Sequence, residues 1–232
     1  MAQHIGIVGV TAPGAALCYE IICTESAAVI KEQSSHPEVS LHTHPYTKYL
    51  RYVEAGNWQG VAELMLSSAE KLAKQGAQLL VAPCNTIHLA YELVAPRSTL
   101  PWLHIAEEVA REAKRAGFRR IGVLGTKLVM ESTTYTAKLA SLGIECLIPG
   151  EADRERINWL LFEEMAYGKF TPEARSYFLE VIKRLQKENC DAIGMCCTEI
   201  PVLLRGIETS LPLLDSTRIL ARAALKKIAG RA

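Results

Sequence analysis

The sequence predicts an α/β protein built from two halves of similar topology, each a parallel sheet covered by helices. Three observations carry that prediction. Short β-rich runs alternate with longer helical stretches, the pattern of parallel strands joined by helical crossovers. Ile5-Gly6-Ile7-Val8-Gly9 is echoed by Ile121-Gly122-Val123-Leu124-Gly125, 116 positions later, and Cys197 follows Cys84 by 113. Near-equal offsets in the same order mark an internal repeat. With 232 residues, 49% of them hydrophobic, there is enough apolar side chain for one large core or two smaller ones.

The elements follow in order. Ile5 to Gly9 is a strand run, and a helical stretch runs from about Gly14 to Lys31. Val39 to Thr43 reads as a second strand. Trp58 to Gln75 predicts a helix, because Val61, Leu64, Met65, Ala69 and Leu72 fall at helical spacing. Leu79 to Ala82 is a third strand, Trp102 to Ile105 is short and β-like, and Ala106 to Ala116 is helical. The second half opens on the strand Ile121 to Gly125. It later reaches the apolar run Ala192 to Cys196. Pro212-Leu213-Leu214 gives a last strand and Ser216 to Ala229 a last helix, placed to return to the first half. Residues 1–106 with 213–232 are therefore expected to form an N-terminal lobe, and 107–212 a C-terminal lobe. No low-complexity linker separates them, so closely packed lobes with a cleft between are expected. Ligands of open α/β sheets bind beyond the carboxyl ends of the strands. Cys84 and Cys197 both fall at such ends.

Composition excludes several classes. The formal net charge is +1 and the charges are dispersed. No basic run exceeds Arg119-Arg120 or Lys226-Lys227 with their neighbours, so no nucleic-acid partner is expected. No apolar segment approaches the ~18 residues that span a bilayer. Met1-Ala2-Gln3-His4 enters a strand directly and lacks the basic and apolar regions of a signal peptide, so a cytoplasmic setting is expected. Seven cysteines at irregular spacings, with no CxxC pair, argue against a disulfide framework or a structural zinc site. Cys18, Cys23, Cys146 and Cys190 are assigned to packing. The run Gly9-Val10-Thr11-Ala12-Pro13-Gly14 is not a dinucleotide fingerprint, and there is no P-loop. No cofactor is expected. His42-Thr43-His44 could set two imidazoles on one strand face, but a third ligand at suitable spacing is missing, so no metal is expected either. His88 and His104 read equally as cleft residues or as structural histidines.

The chemistry lies in two matched stretches. Leu79-Leu80-Val81-Ala82-Pro83-Cys84-Asn85-Thr86-Ile87-His88 and Ala192-Ile193-Gly194-Met195-Cys196-Cys197-Thr198-Glu199-Ile200-Pro201 each run a buried strand into a thiol. Polar residues suited to capping a helix follow each thiol. One such cysteine is usually a small buried filler. Two in matched contexts suggest paired acid/base groups. The proton beside a carboxylate is held by a very weak carbon acid, and its removal needs a positioned base and a stabilised carboxylate. A helix N-terminus favours a thiolate and can hold a substrate carboxylate. Inversion asks for one thiolate and one thiol on opposite sides of the carbon. Cys196 precedes Cys197 directly, so its side chain is expected to point to the other face of the strand as buried filler.

These residues resemble the aspartate/glutamate racemase family, the cofactor-independent amino-acid racemases. Cys84-Asn85-Thr86-Ile87-His88 and Cys197-Thr198-Glu199-Ile200 are similar to its paired signatures. The likeness extends through Ile5 to Pro13, Leu103-His104-Ile105-Ala106, Leu124-Gly125-Thr126 and Phe162-Glu163-Glu164 to Gly168-Lys169-Phe170. The resemblance implies two pseudo-symmetric flavodoxin-like lobes, an active site in the cleft between them, no pyridoxal phosphate and a homodimer. It assigns acid/base work to Cys84 and Cys197, and contacts to the substrate α-carboxylate and amino group to Asn85, Thr86, Thr126 and Thr198. Glu199 would sit close to the second thiol. Glu199 and His88 place the chain nearer the aspartate and broad-specificity branch than the cell-wall glutamate racemases, which carry histidine after the second Cys-Thr.

The chain departs from the family pattern at three places. Thr11 stands where the glycine-rich opening carries methionine, so it alters the pocket floor. Cys196 replaces a glycine. Tyr46, with Thr47 beside it, stands in the loop where aspartate-selective members place an arginine. Lys169 matches a lysine that some aspartate racemases use for the side-chain carboxylate. The reading is a two-thiol racemase of aspartate, with glutamate or a broader set of amino acids open. Maleate isomerase-like, hydantoin racemase-like and malonate decarboxylase-like enzymes of the same superfamily are alternatives, as is a non-enzymatic small-molecule binding protein.

Overall fold

Ile5–Gly9 forms strand β1, and all of its residues are buried. In the computed structural model, which describes residues 4–30 and 36–230, β1 is the middle of a three-stranded parallel sheet. It lies between β2 (Val39–Thr43) and β3 (Leu79–Val81), with Ile5 paired to both Val39 and Leu79. Lys31, the expected end of the first helix, and Met1 to Gln3, which bore on the compartment, lie outside the described residues.

Side chains alternate across this sheet, as the two-residue period of a strand requires. Ile5, Ile7, Leu79 and Val81 share one core with Cys18, Ile21 and Ile22 of helix α1 (Ala12–Ile30). Val8 and Leu80 enter the opposite core with Tyr49 of α2 (Tyr46–Glu54) and with Val61, Met65, Ala69 and Leu72 of α3 (Trp58–Lys74). Gly6 faces α3, and a Cβ there would meet Leu80 Cδ2 at 2.6 Å and Leu72 Cβ at 3.2 Å. Its lack of a side chain lets the helix lie close on the sheet. Beyond β3 the chain makes a 3-10 turn at Thr86–Ala90, then α4 (Tyr91–Val94) and a second 3-10 turn at Ala95–Arg97. The β-like stretch at Trp102 amounts to a single parallel bridge to Leu80. Pro101 supplies only a carbonyl there, accepting from Leu80 N–H at 2.9 Å, and α5 (Ile105–Arg115) begins almost at once.

The second unit is Val109–Ser216, while the first runs to Glu108 and resumes at Thr217. Its chain passes through β4 (Arg120–Gly125), α6 (Lys127–Glu131), α7 (Thr133–Ala140), β5 (Glu145–Leu147) and α8 (Glu151–Trp159). A π turn at Leu160–Glu164 and a 3-10 turn at Met165–Tyr167 lead to α9 (Pro172–Lys187). Then come β6 (Ala192–Cys196), α10 (Glu199–Leu203) and β7 (Leu213–Asp215). The strand order is β5-β4-β6-β7, all parallel, so its first three strands repeat the order β2-β1-β3 of the first sheet. Leu124, Ile193 and Met195 face a core made with Ile157, Phe178, Val181 and Leu185.

The expected lobe boundary at residue 213 does not match the strand pairing. Leu213–Asp215 is the edge strand of the second sheet, in register with Ile193 to Met195. Of the segment from 213 onward, helix α11 (Ser216–Ile228) is the part that packs on the first sheet, through Leu220, Ala221, Ala224 and Leu225. Pro212 accepts from Ile193 N–H, so the pairing is established before the helix begins. Among the described residues, no helix is long and apolar enough to cross a membrane.

Glu25 of α1 accepts hydrogen bonds from Arg218 and Arg222 of α11. Hydrogen bonds and charge from these arginines outweigh burial and hold its carboxyl below the usual carboxylate range. A depressed folded value stabilises the protein above the unfolded pKa of about 4.3 and is lost as the pH falls through the folded value. Glu25→Gln is therefore expected to cost about 1 kcal/mol or less at pH 7, given the exposure of the two arginines, and nothing near pH 2. Thermal melts of both proteins at the two pH values check this.

Candidate active site

Parallel strands deliver their carboxyl ends to one edge of the sheet. In the first unit the chain leaves that edge at Thr11, at Tyr46 and at Cys84. Thr11 is partly buried, and its carbonyl accepts from Ala15 N–H at 3.1 Å as α1 starts. Tyr46 is 42% exposed and is the first residue of helix α2, where a loop was expected. Pro45 explains the difference: its φ of −51° sets up the first turn, and its carbonyl accepts from Lys48 N–H at 2.9 Å.

Cys84 closes a three-residue turn over Pro83, with its N–H donating to the Ala82 carbonyl at 2.9 Å. The cysteine is partly exposed, Asn85 is buried and Thr86 partly so. A capped α-helix was expected next. The segment is instead the 3-10 turn Thr86–Ala90, and Asn85 itself has helical angles (φ −65°, ψ −40°) with no capping bond from its side chain. A cap requires extended backbone, which Asn85 does not adopt. Thr198 repeats the departure: it sits at φ −64°, ψ −23° before the five-residue α10, again without a side-chain cap.

Several groups around Cys84 were not assigned from sequence. His88, buried, places Nε2 3.0 Å from the Ala82 carbonyl oxygen. Its ring meets His104 edge-on at 4.7 Å and stacks on Tyr91 at 5.9 Å. In β2, His42 accepts at Nε2 from Lys71 Nζ (3.0 Å) and so donates from Nδ1 to Ser68 Oγ (2.9 Å). Burial, and then the Lys71 charge, lower its basicity. The fully buried Tyr49 lies beside Ser68 and Cys84, and burial pushes its phenol well above the usual range. The His-x-His pair was visible in the sequence. Its partners come from α3, which only the tertiary fold brings to β2.

In the second unit, Gly125 and Cys196 end the adjacent strands β4 and β6. Cys197, partly exposed, donates from Sγ to Glu199 Oε2 at 2.9 Å, and Thr198 Oγ1 donates to the same oxygen at 3.0 Å. Thr126 is buried at the start of α6, and its Oγ1 accepts from Val129 N–H at 3.3 Å. Lys169 is exposed and follows Gly168, whose φ of 77° is left-handed. Arg175, near the start of α9, donates to the Leu203 carbonyl at the end of α10. Cys196 is buried, with its thiol raised by burial, beside the fully buried Tyr135. Among the described residues, no three His, Cys, Asp or Glu side chains are grouped to hold a metal.

The shared Glu199 oxygen makes a prediction. A carboxylate beside a thiol opposes formation of the thiolate. Glu199→Gln is expected to accelerate alkylation of Cys197 by iodoacetamide at pH 7 by about threefold or more. Peptide mass spectrometry, with Cys84 as internal reference, reads the rate.

Residues 7–224 match the profile of a protein family described as Asp/Glu/Hydantoin racemase. The chain is 28% identical over 163 residues to the broad specificity amino-acid racemase RacX of Bacillus subtilis, covering 69% of each protein. In sequence it aligns over 49% to 60% of the length of six curated glutamate racemases. Among solved structures it is similar to a candidate Asp/Glu racemase from Yersinia pestis. That likeness has a TM-score of 0.88 at 29% identity and covers 97% of this chain and 99% of that one. It is also similar to an aspartate racemase homologue from Pyrococcus horikoshii, with a TM-score of 0.81 at 27% identity over 99% and 100% of the two chains.

Proposed function

This chain belongs to the Asp/Glu/hydantoin racemase family, and we propose that it inverts the α-carbon of aspartate, or of a related amino acid, with two thiols and no cofactor. The observation that carries the reading is the repeated strand-to-cysteine motif, one copy in each half, at equivalent ends of β3 and β6. In this mechanism one cysteine, as thiolate, takes the α-proton and becomes a thiol. The electron pair of the broken C–H bond moves into the carboxylate, and the other cysteine gives its proton to the opposite face. The enzyme is left with the protons exchanged between the two sulfurs, and the reverse reaction restores them. Asn85, Thr86, Thr126 and Thr198 supply polar contacts to the α-carboxylate and amino group, which limits the charge that builds on the carboxylate. Glu199 holds the Cys197 proton in place through its 2.9 Å contact. The homodimer implied by the resemblance, and the cytoplasmic setting expected from the sequence, belong to the same proposal.

Substrate preference rests on Lys169, Tyr46 and Thr11. Lys169 offers a mobile ammonium to a distal carboxylate, while Tyr46 offers a phenol where an arginine would give a bidentate clamp. Such a site favours aspartate modestly and admits uncharged side chains, in keeping with the broad specificity named for the Bacillus relative. The test is a panel of single-enantiomer amino acids in deuterium oxide, with loss of the Cα–H signal followed by NMR and enantiomer content by chiral chromatography. Aspartate is expected to exchange and racemise fastest. Exchange of none of the panel would overturn the racemase reading, and conversion of maleate to fumarate by the same preparation would replace it.

A further inference from the structure

The two cysteine motifs share a feature that sequence comparison does not display. The carbonyl two residues ahead of each cysteine is held by a buried side-chain donor from elsewhere in its own unit. Ala82 O accepts from His88 Nε2 at 3.0 Å, and Met195 O accepts from Ser216 Oγ at 2.9 Å. His88 is 3% exposed and Ser216 1%. The donors differ in chemistry and in origin. His88 lies in the 3-10 turn after the first cysteine, whereas Ser216 opens α11 after β7. A repeated contact made by unrelated residues points to a requirement at the carbonyl itself.

We propose that His88 and Ser216 are positioning residues, each fixing the peptide that aims its own cysteine. This rests on the reading of Cys84 and Cys197 as the acid/base pair. In the first half the geometry is tight, because Ala82 O also accepts from Cys84 N–H at 2.9 Å. One oxygen thus anchors the cysteine backbone and is itself anchored by the imidazole. A carbonyl only accepts, so His88 carries its proton on Nε2. The ring has little freedom to turn, since His104 and Tyr91 pack on it and on each other, and the Glu107 N–H reaches His104 Nδ1 at 3.4 Å. Holding the oxygen in this way keeps its partial negative charge turned toward a donor. Released, the peptide would swing, the sulfur would move, and the uncapped oxygen would oppose a thiolate. A displacement of about 1 Å at a reacting group costs roughly a hundredfold in rate.

The experiment uses His88→Leu, His88→Gln and Ser216→Ala in the full chain. Leucine fills the imidazole's space without a donor, and the glutamine amide places a donor at similar reach. His88→Leu is expected to lower kcat by about 10- to 100-fold with KM within about threefold, and to slow alkylation of Cys84 at pH 7 while leaving Cys197 unchanged. His88→Gln should recover kcat to within about threefold of the parent. Ser216→Ala should do the mirror image, slowing Cys197 and sparing Cys84. Leucine and glutamine variants that behave alike, or thiols that slow together in either half, would overturn the proposal. If His88→Leu does not fold, as judged by circular dichroism, the glutamine variant and the Ser216→Ala comparison still decide. Alkylation needs no turnover, so the positioning role is judged separately: a Cys84→Ala enzyme as active as the parent would defeat the acid/base reading and leave the alkylation result standing.

Discussion

Cys84→Ala and Cys197→Ala are each expected to lower racemisation by about a thousandfold or more, the upper range for loss of a positioned acid or base. The two variants should differ in what they retain. Inversion needs both sulfurs, but exchange of the α-hydrogen with solvent needs only one. The remaining thiolate can take the proton from the enantiomer that presents it and return a deuteron to the same face. Cys197→Ala should therefore wash deuterium into one enantiomer without inverting it, and Cys84→Ala into the other. Both signals are read in one deuterium oxide experiment by combining NMR with chiral chromatography. Racemisation at the parent rate in either variant would remove that cysteine from the mechanism. Exchange of the same enantiomer in both would remove the two-sided arrangement while keeping a thiol as base.

Gly125→Ala is expected to cost about 1–3 kcal/mol of stability, the usual range for overpacking, and to lose most of the activity. A Cβ on Gly125 would stand 2.9 Å from the Cys196 carbonyl oxygen and 3.3 Å from Val129 Cγ1. The first contact is with backbone, which no rotamer change relieves. The end of β6 must shift, and it carries Cys196 directly into Cys197. The neighbouring Thr126, at the start of α6, would move with it. Gly6→Ala gives a contrast. Its tightest contact, 2.6 Å, is to the tip of Leu80, a side chain that can turn aside. A melt and a rate for each variant check the pair: Gly6→Ala should lose stability with little change in rate per folded molecule, and Gly125→Ala should lose both.

Much of the fold was legible from periodicity. The strands at Ile5 and Ile121 were found within a residue, because buried parallel strands are unbroken apolar runs, and the strand at Val39, which buries none of its residues, was found at the same bounds. The first-half helix from Trp58 was found because five apolar residues mark one face. Helix α2 was missed. It buries only Tyr49 and follows Pro45 directly, and its weight as a helix comes from packing on α3, where Tyr52 lies against Gly60. The helices after the two cysteines were overestimated, since polar residues after a strand suggest a cap whether or not the backbone takes the capping angles. The cysteines and the polar residues beside them stand together in sequence, while the place of Glu199 near the second thiol came from the family resemblance. Lys71, Ser68, Tyr49 and Ser216 were not, for each reaches its partner across a long loop of chain, and nothing local records such a meeting.

The discontinuous first unit has a consequence for how the protein is made. Its sheet is complete once β3 has left the ribosome, but the face carrying Ile5, Ile7, Leu79 and Val81 stays partly open until the segment beyond Thr217 is synthesised. At typical translation speeds that interval is on the order of ten seconds. The contiguous Val109–Ser216 unit needs nothing further and can fold while the earlier unit waits. The nascent chain should thus mature back to front, and its exposed early sheet is the stretch for which a chaperone would compete.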